Sequence, residues 1–138
     1  VAIEWMRAAR YARAVGIEPR ADRRAMAAAN ALALGVPKFE IVEGTAPGAF
    51  AGLAPPDAIF IGGGVTEEVV AAAWDALRPL GRLVVNAVTL ESEAVLVGVA
   101  ARRGGELVKL GVARAEALGS RTAWRPGIEV VQWSVVKR

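Results

Sequence analysis

The 138-residue chain predicts an α/β fold, a mostly parallel β-sheet with helices on its faces and an antiparallel strand at its end. Three observations point there. Short apolar runs alternate with helix-forming segments through most of the sequence. The last two strand-like runs follow one another without a helix between them, which requires an antiparallel return. Finally, Asp57-Ala58-Ile59-Phe60-Ile61 runs into Gly62-Gly63-Gly64 and then an amphipathic segment. Such a strand–loop–helix step is where open α/β sheets hold ligands.

Taken in order, Val1–Ala9 places Val1, Trp5 and Ala8 on one helical stripe. Ala12–Glu18 is a short strand that ends on an acid. Ala21–Leu34 is alanine-rich and strongly helix-forming, and Gly35 with Pro37 stops it. Phe39–Glu43 alternates as a strand does, and the Gly44-Thr45-Ala46-Pro47 turn follows. After the strand at 57–61, Thr66 is placed to cap a helix that starts with Glu67 and Glu68 and ends near Leu77, before Pro79. Gly81–Val88 is a buried strand. Thr89 caps a helix over Leu90–Arg103, with acids early, Arg102 and Arg103 late, and Gly104-Gly105 beyond. Glu106–Ala117 reads as a strand with an irregularity at Gly111, and Leu118–Gly127 as a loop carrying Arg121, Thr122, Trp124, Arg125 and Pro126. Glu129–Lys137 alternates, with Val131, Trp133 and Val135 on one face. No repeat, linker or low-complexity tract interrupts this order, so one domain over 1–138 is expected.

Composition narrows the chemistry. The chain has no cysteine and no histidine. Thiolate nucleophiles, disulfides, serine–histidine hydrolysis and ordinary zinc sites are therefore excluded, and no metal is expected. A net charge of +3 suits anionic ligands. The bases are dispersed, apart from Arg20, Arg23 and Arg24, and aromatics make up only 6%, so a nucleic-acid partner is not expected. Charges interrupt every apolar run before the roughly 18 residues of a membrane span.

The element order, with Glu18 closing the first visible strand, resembles the class I S-adenosylmethionine-dependent methyltransferase fold. That is a Rossmann-like three-layer sandwich whose last strand is antiparallel. Ile61-Gly62-Gly63-Gly64, Asn86-Ala87-Val88-Thr89-Leu90-Glu91-Ser92, Thr122-Ala123-Trp124-Arg125-Pro126 and Gln132-Trp133 are, as a set in this order, similar to the decarboxylating precorrin methyltransferases of cobalamin biosynthesis. In that family the domain methylates C15 of the macrocycle and decarboxylates the C12 acetate. The resemblance spans essentially the whole chain.

The resemblance implies S-adenosyl-L-methionine as cofactor. Glu18 would hold its ribose hydroxyls, and the Gly44-Thr45-Ala46 turn would border the adenine through the Ala46 amide. Ile61 and Gly62 would lie against the cofactor. Gly62 and Gly63, with Asn86 and Thr89, would form the reaction centre, with Thr89 doubling as a helix cap and Glu91 as a candidate proton carrier. Gly64, Arg121, Trp124 and Arg125 would take the substrate, a tetrapyrrole bearing acetates and propionates that suit bidentate arginines. Pro55-Pro56 precedes its strand, unlike the proline pair that amino-group methyltransferases carry after theirs, which favours a carbon acceptor. The family's first strand and its Asp-x-Gly-x-Gly-x-Gly loop do not occur in this sequence, which starts where the family continues after that loop. A C-terminal piece of a longer protein is therefore expected, preceded by a second methyltransferase domain. Further expectations are a homo-oligomer, with the tetramer as the family's frequent assembly, and a cytoplasmic location. Two alternatives are a nicotinamide-dependent oxidoreductase, since Glu18 also suits that ribose, and a non-catalytic module retaining the fold.

Overall fold

The computed structural model describes residues Val1–Arg138. The chain forms two compact units, Val1–Ala54 and Pro55–Arg138. No helix is long and apolar enough to cross a membrane.

The first unit contains α1 (Ala2–Ala8), β1 (Val15–Ile17), α2 (Ala21–Ala33), β2 (Glu40–Val42) and a single 3-10 turn at Gly48–Phe50. β1 and β2 pair in parallel, from Val15 opposite Glu40 to Ile17 opposite Val42. The strand expected from Ala12 is shorter than its apolar run because β2 offers only three ladder partners. Helix α2 ends as its composition dictates: the Leu34 amide donates to Asn30 O, and Gly35 follows with φ +80°.

The second unit contains β3 (Ala58–Ile61), α3 (Glu67–Ala76), β4 (Arg82–Ala87), α4 (Leu90–Arg103), β5 (Glu106–Leu110), β6 (Ala113–Leu118), β7 (Arg121–Pro126) and β8 (Val130–Val136). Its four-stranded sheet has the order β3-β4-β8-β5. β3 runs parallel to β4, whereas β8 is antiparallel to both β4 and β5. The alternation in β4 and β8 sorts side chains as read from sequence: Leu83, Val85, Ala87, Val131, Trp133 and Val135 are all buried. Ile61, Val65, Val69, Val70, Ala73 and Leu77, from the end of β3 through the α3 segment, and Leu96 and Val99 of α4 complete this core.

Both helix starts follow the sequence. Thr66 Oγ1 accepts from the Val69 amide at 3.2 Å, and Thr89 Oγ1 accepts from the Ser92 amide at 3.3 Å. The C-terminus of α3 is met by Lys137, whose Nζ donates to the carbonyls of Trp74 at 2.6 Å and Leu77 at 2.7 Å. Trp133 is fully buried, and its indole N–H donates to the Gly104 carbonyl at 2.9 Å. Beside it, Gly105 has φ +91°, and a Cβ there would lie 2.6 Å from Ser134 O. Only glycine fits.

One expectation is corrected. Leu118–Gly127 is not a loop: β6 and β7 form an antiparallel hairpin, with Leu118 opposite Arg121 across the two-residue Gly119-Ser120 turn. The irregularity expected at Gly111 in the Glu106–Ala117 run is a full break at Gly111-Val112. β5 follows β8 as far as Leu110 opposite Val130, and β6 then takes β7 as its only ladder partner.

Candidate functional site

In the first unit, the β1–β2 pairing brings together the ends of two parallel strands. The Glu18 amide donates to Val42 O at 3.1 Å, which extends the ladder to the acid itself. The Glu18 side chain is 25% exposed. One carboxylate oxygen, Oε1, accepts from the Arg20 amide at 3.0 Å as the chain enters α2, and Oε2 lies 3.9 Å from Arg23. Arg20 itself is engaged with Asp22 through two contacts, at 3.1 and 2.8 Å. This pairing raises the Arg20 guanidinium and lowers the Asp22 carboxyl from their ordinary values. The Gly44-Thr45-Ala46 turn leaves β2 at the same end, and Thr45 O accepts from the Ala49 amide at 3.0 Å.

The acceptor chemistry at this strand end is compatible with a ribose. A carboxylate offers about four lone-pair positions, and the Arg20 amide uses one of them. The others remain for a vicinal diol.

Arg24 was not singled out by sequence, where it is one of the three clustered bases Arg20, Arg23 and Arg24. Its Nη1 donates to the carbonyls of Glu18 at 3.1 Å and Pro19 at 2.6 Å, while Nη2 donates to Glu43 Oε2 at 2.8 Å. No helical spacing hints at it, because Glu18 lies outside α2 and six residues away.

In the second unit, Ile61 and Val85 are cross-strand partners in the parallel pairing of β3 and β4, so Gly62 and Asn86 are the next residues on adjacent strands. The structure therefore brings the triple glycine and Asn86 to the same carboxyl edge. Gly64 has φ +66°, and an added Cβ at Gly63 or Gly64 would meet nothing within 4 Å. The loop is open. Asn86 is half-buried and faces Gln132 across β8, whose Nε2 donates to Asn86 Oδ1 at 2.9 Å. Thr89, at the same edge, is committed to α4: besides capping, its hydroxyl donates to Ser92 Oγ at 3.3 Å.

A small recess of about 230 Å³ lies at this edge, lined among others by Thr89, Leu90, Glu93, Lys109 and Glu129. Lys109 Nζ pairs with Glu93 at 3.0 Å, and this hydrogen bond, helped by the charges of Glu93 and Glu129, raises the Lys109 ammonium. Sequence reasoning missed this pair because β5 and α4 supply one member each.

Arg121, Trp124 and Arg125 lie on β7, whose only ladder partner is β6. Trp124 is 75% exposed, and Arg125 pairs with Glu116 of β6 at 2.9 Å. Nothing places these three residues beside Gly62–Gly64.

A larger cavity, about 700 Å³, sits at the opposite end of the four-stranded sheet, lined among others by Trp74, Arg82, Arg102, Arg103 and Arg138. Two of its bases belong to a helix end, while Arg82 starts β4 and Arg138 is the last residue. Arg102 and Arg103 close α4, Arg102 pairing with Glu67 at 3.0 Å and Arg103 stacking over Trp74 at 4.4 Å.

Residues 1–137 match the profile of the precorrin methyltransferase domain. The chain belongs to that family. Precorrin-6Y C(5,15)-methyltransferase [decarboxylating] from a Sinorhizobium species is 49% identical over 138 residues, covering 99% of this chain and 33% of the relative. The protein of the same name from Mycobacterium tuberculosis is 45% identical over 139 residues, covering 100% and 35%. The chain thus spans about a third of the length of these curated relatives. Among solved structures, the C-terminal domain of precorrin-6Y C5,15-methyltransferase from Rhodobacter capsulatus superposes with a TM-score of 0.91 at 42% identity, covering 99% of this chain and 73% of that one. The precorrin methyltransferase domain is thus an α/β methyltransferase fold, as its element order predicts.

Proposed function

We propose that this domain carries out S-adenosyl-L-methionine-dependent methylation at C15 of a precorrin, coupled to decarboxylation of the C12 acetate, in cobalamin biosynthesis. The observation that carries this reading is identity of 49% along the whole chain to a precorrin-6Y C(5,15)-methyltransferase [decarboxylating]. It favours neither the nicotinamide-dependent alternative nor a module without activity.

The cofactor, when bound, supplies an electrophilic methyl group on a sulfonium. Methyl transfer then gains mainly from placement, so few reactive side chains are needed. In this reading Glu18 fixes the ribose with its remaining lone pairs, and the Gly44–Ala46 turn leaves room for the flat adenine. Gly62–Gly64 present backbone and no side chain, which lets the macrocycle carbon approach closely. Asn86, with its carbonyl taken by Gln132, has its amide N–H groups free to donate to a substrate oxygen. Decarboxylation breaks the bond between the acetate methylene and its carboxylate. The electron pair passes into the conjugated ring, and the methylene takes up a proton to become a methyl group. Glu91 is the candidate proton carrier. Arg121 and Arg125, on one face of β7, bind substrate carboxylates.

The same reading makes the protein a cytoplasmic homo-oligomer in which a second methyltransferase domain precedes this one. A two-stranded hairpin is marginal alone in water, and β6–β7 exposes Leu118 at 67% and Trp124 at 75%. A second copy of the chain is the proposed cover. Titrating S-adenosylhomocysteine into the full-length protein tests the core of the proposal. Saturable binding is expected, followed by product that has gained a methyl group and lost carbon dioxide by mass spectrometry. Absence of binding sinks it.

A further inference from the structure

We infer that Arg24 is a positioning residue for the cofactor site, one side chain that ties together the two strand ends carrying Glu18 and the Gly44–Ala46 turn. The inference rests on the reading of Glu18 as the ribose carboxylate. Arg24 reaches back from the first turn of α2, and its two terminal nitrogens serve different strands. Nη1 donates to the carbonyls of Glu18 and Pro19, directly after β1, and Nη2 donates to Glu43, directly after β2. Its side chain is 21% exposed, whereas Arg20 and Arg23 in the same segment are each 59% exposed. Arg24 is therefore the base of this run that the fold holds inward.

The Glu43 end of the clamp is 74% exposed, so the ion pair as such adds little to folding. Its consequence is geometric. The Glu18 backbone is held from both sides, by Val42 O on its amide and by Arg24 on its carbonyl, which fixes the point from which the carboxylate projects, while the Arg20 amide holds one of its oxygens. Glu43, held by the same guanidinium, is the residue immediately before Gly44. The planar fork of arginine is required for this reach, because a lysine ammonium is a single point that serves one strand end or the other.

The test uses the full-length protein and S-adenosylhomocysteine as probe, with affinities measured by calorimetry for Glu18→Ala, Arg24→Gln, Arg24→Lys, Glu43→Gln and the double variant E18A/R24Q. Arg24→Gln is expected to weaken binding about tenfold, the scale of a lost charged hydrogen bond, and Arg24→Lys to restore little of it. At saturating cofactor, kcat stays unchanged while KM for the cofactor rises. If Arg24 acts through Glu18, E18A/R24Q binds within about twofold of Glu18→Ala alone, because the effects of coupled residues do not add. Fully multiplicative losses, or an unchanged affinity in Arg24→Gln beside a weakened Glu18→Ala, overturn this inference alone. An unchanged affinity in Glu18→Ala overturns the ribose reading and this inference with it. If Arg24→Gln does not fold, Glu43→Gln carries the test at an exposed position. A loss of about two- to threefold is expected there, and an unchanged affinity overturns the inference.

Discussion

Asn86 and Gln132 stand directly opposite one another in the antiparallel pairing of β4 and β8, joined by a 2.9 Å hydrogen bond from Gln132 Nε2 to Asn86 Oδ1. The pair is half-buried, so leaving either group without its partner has a cost. Gln132→Leu is expected to destabilise by about 1–3 kcal/mol, as an unsatisfied buried acceptor does. Replacing both residues with leucine should be nearly neutral in stability, because no orphan remains. Turnover should fall in both variants. Denaturant unfolding beside single-turnover assays separates the two effects, and full activity in the double variant would remove Asn86 from the reaction centre.

Glu18→Ala is expected to weaken cofactor binding by about 1–3 kcal/mol, the range of hydrogen bonds to a charged group. Calorimetry with S-adenosylhomocysteine checks it. The loss should also appear with adenosine, which shares the ribose but lacks the amino-acid end.

Gly105→Ala should destabilise the domain by about 2–4 kcal/mol, combining an unfavourable φ with a collision against backbone. The neighbouring Trp133 Nε1 lies only 2.8 Å from the added carbon, so the indole bond to Gly104 is expected to break as well. Urea unfolding of the variant measures this. An unchanged midpoint would mean the strand shifts to make room.

Lys109 should titrate above the ordinary lysine range because Glu93 stabilises its charged form. The sign follows from linkage: the contribution to stability is fully present below the unfolded lysine value and is lost as pH rises through the higher folded value. In Glu93→Gln the lysine should return towards its ordinary value. NMR titration of the lysine side chains reads this directly, with only Lys38 and Lys137 as company.

Trp124→Glu should shift the protein towards monomer, visible by analytical ultracentrifugation, with little change in the thermal stability of the four-stranded sheet. An unaltered sedimentation pattern would exclude this face of the hairpin from assembly.

Much of this was legible from residue order. The α4 limits, Leu90–Arg103, were read as found, because Thr89, the early acids, the late arginines and Gly104 each carry a separate end signal. The inward face of β8 was equally clear, since Val131, Trp133 and Val135 repeat with period two beside polar neighbours. The hairpin was missed for a physical reason. β7 is exposed at every position except Ala123, so no inward-facing apolar alternation marked Arg121–Pro126 as a strand. The Gly119-Ser120 turn was the available signal, and it was weak beside the surrounding polar residues. At the candidate site, Glu18 and the glycine run follow from strand ends, whereas Arg24 and the Glu93–Lys109 pair depend on folded distances. Pairs such as these, made across elements, leave no local pattern to read.

The environments of the four tryptophans divide the molecule spectroscopically. Trp133 has no exposure at all, whereas Trp124 stands 75% in solvent. The core indole should emit at short wavelength and resist collisional quenching until the sheet unfolds, while the hairpin indole should be red-shifted and readily quenched until something covers it. With Trp5 and Trp74 replaced by phenylalanine, steady-state emission with acrylamide would follow association and unfolding as two separate optical events in one sample, with no attached dye.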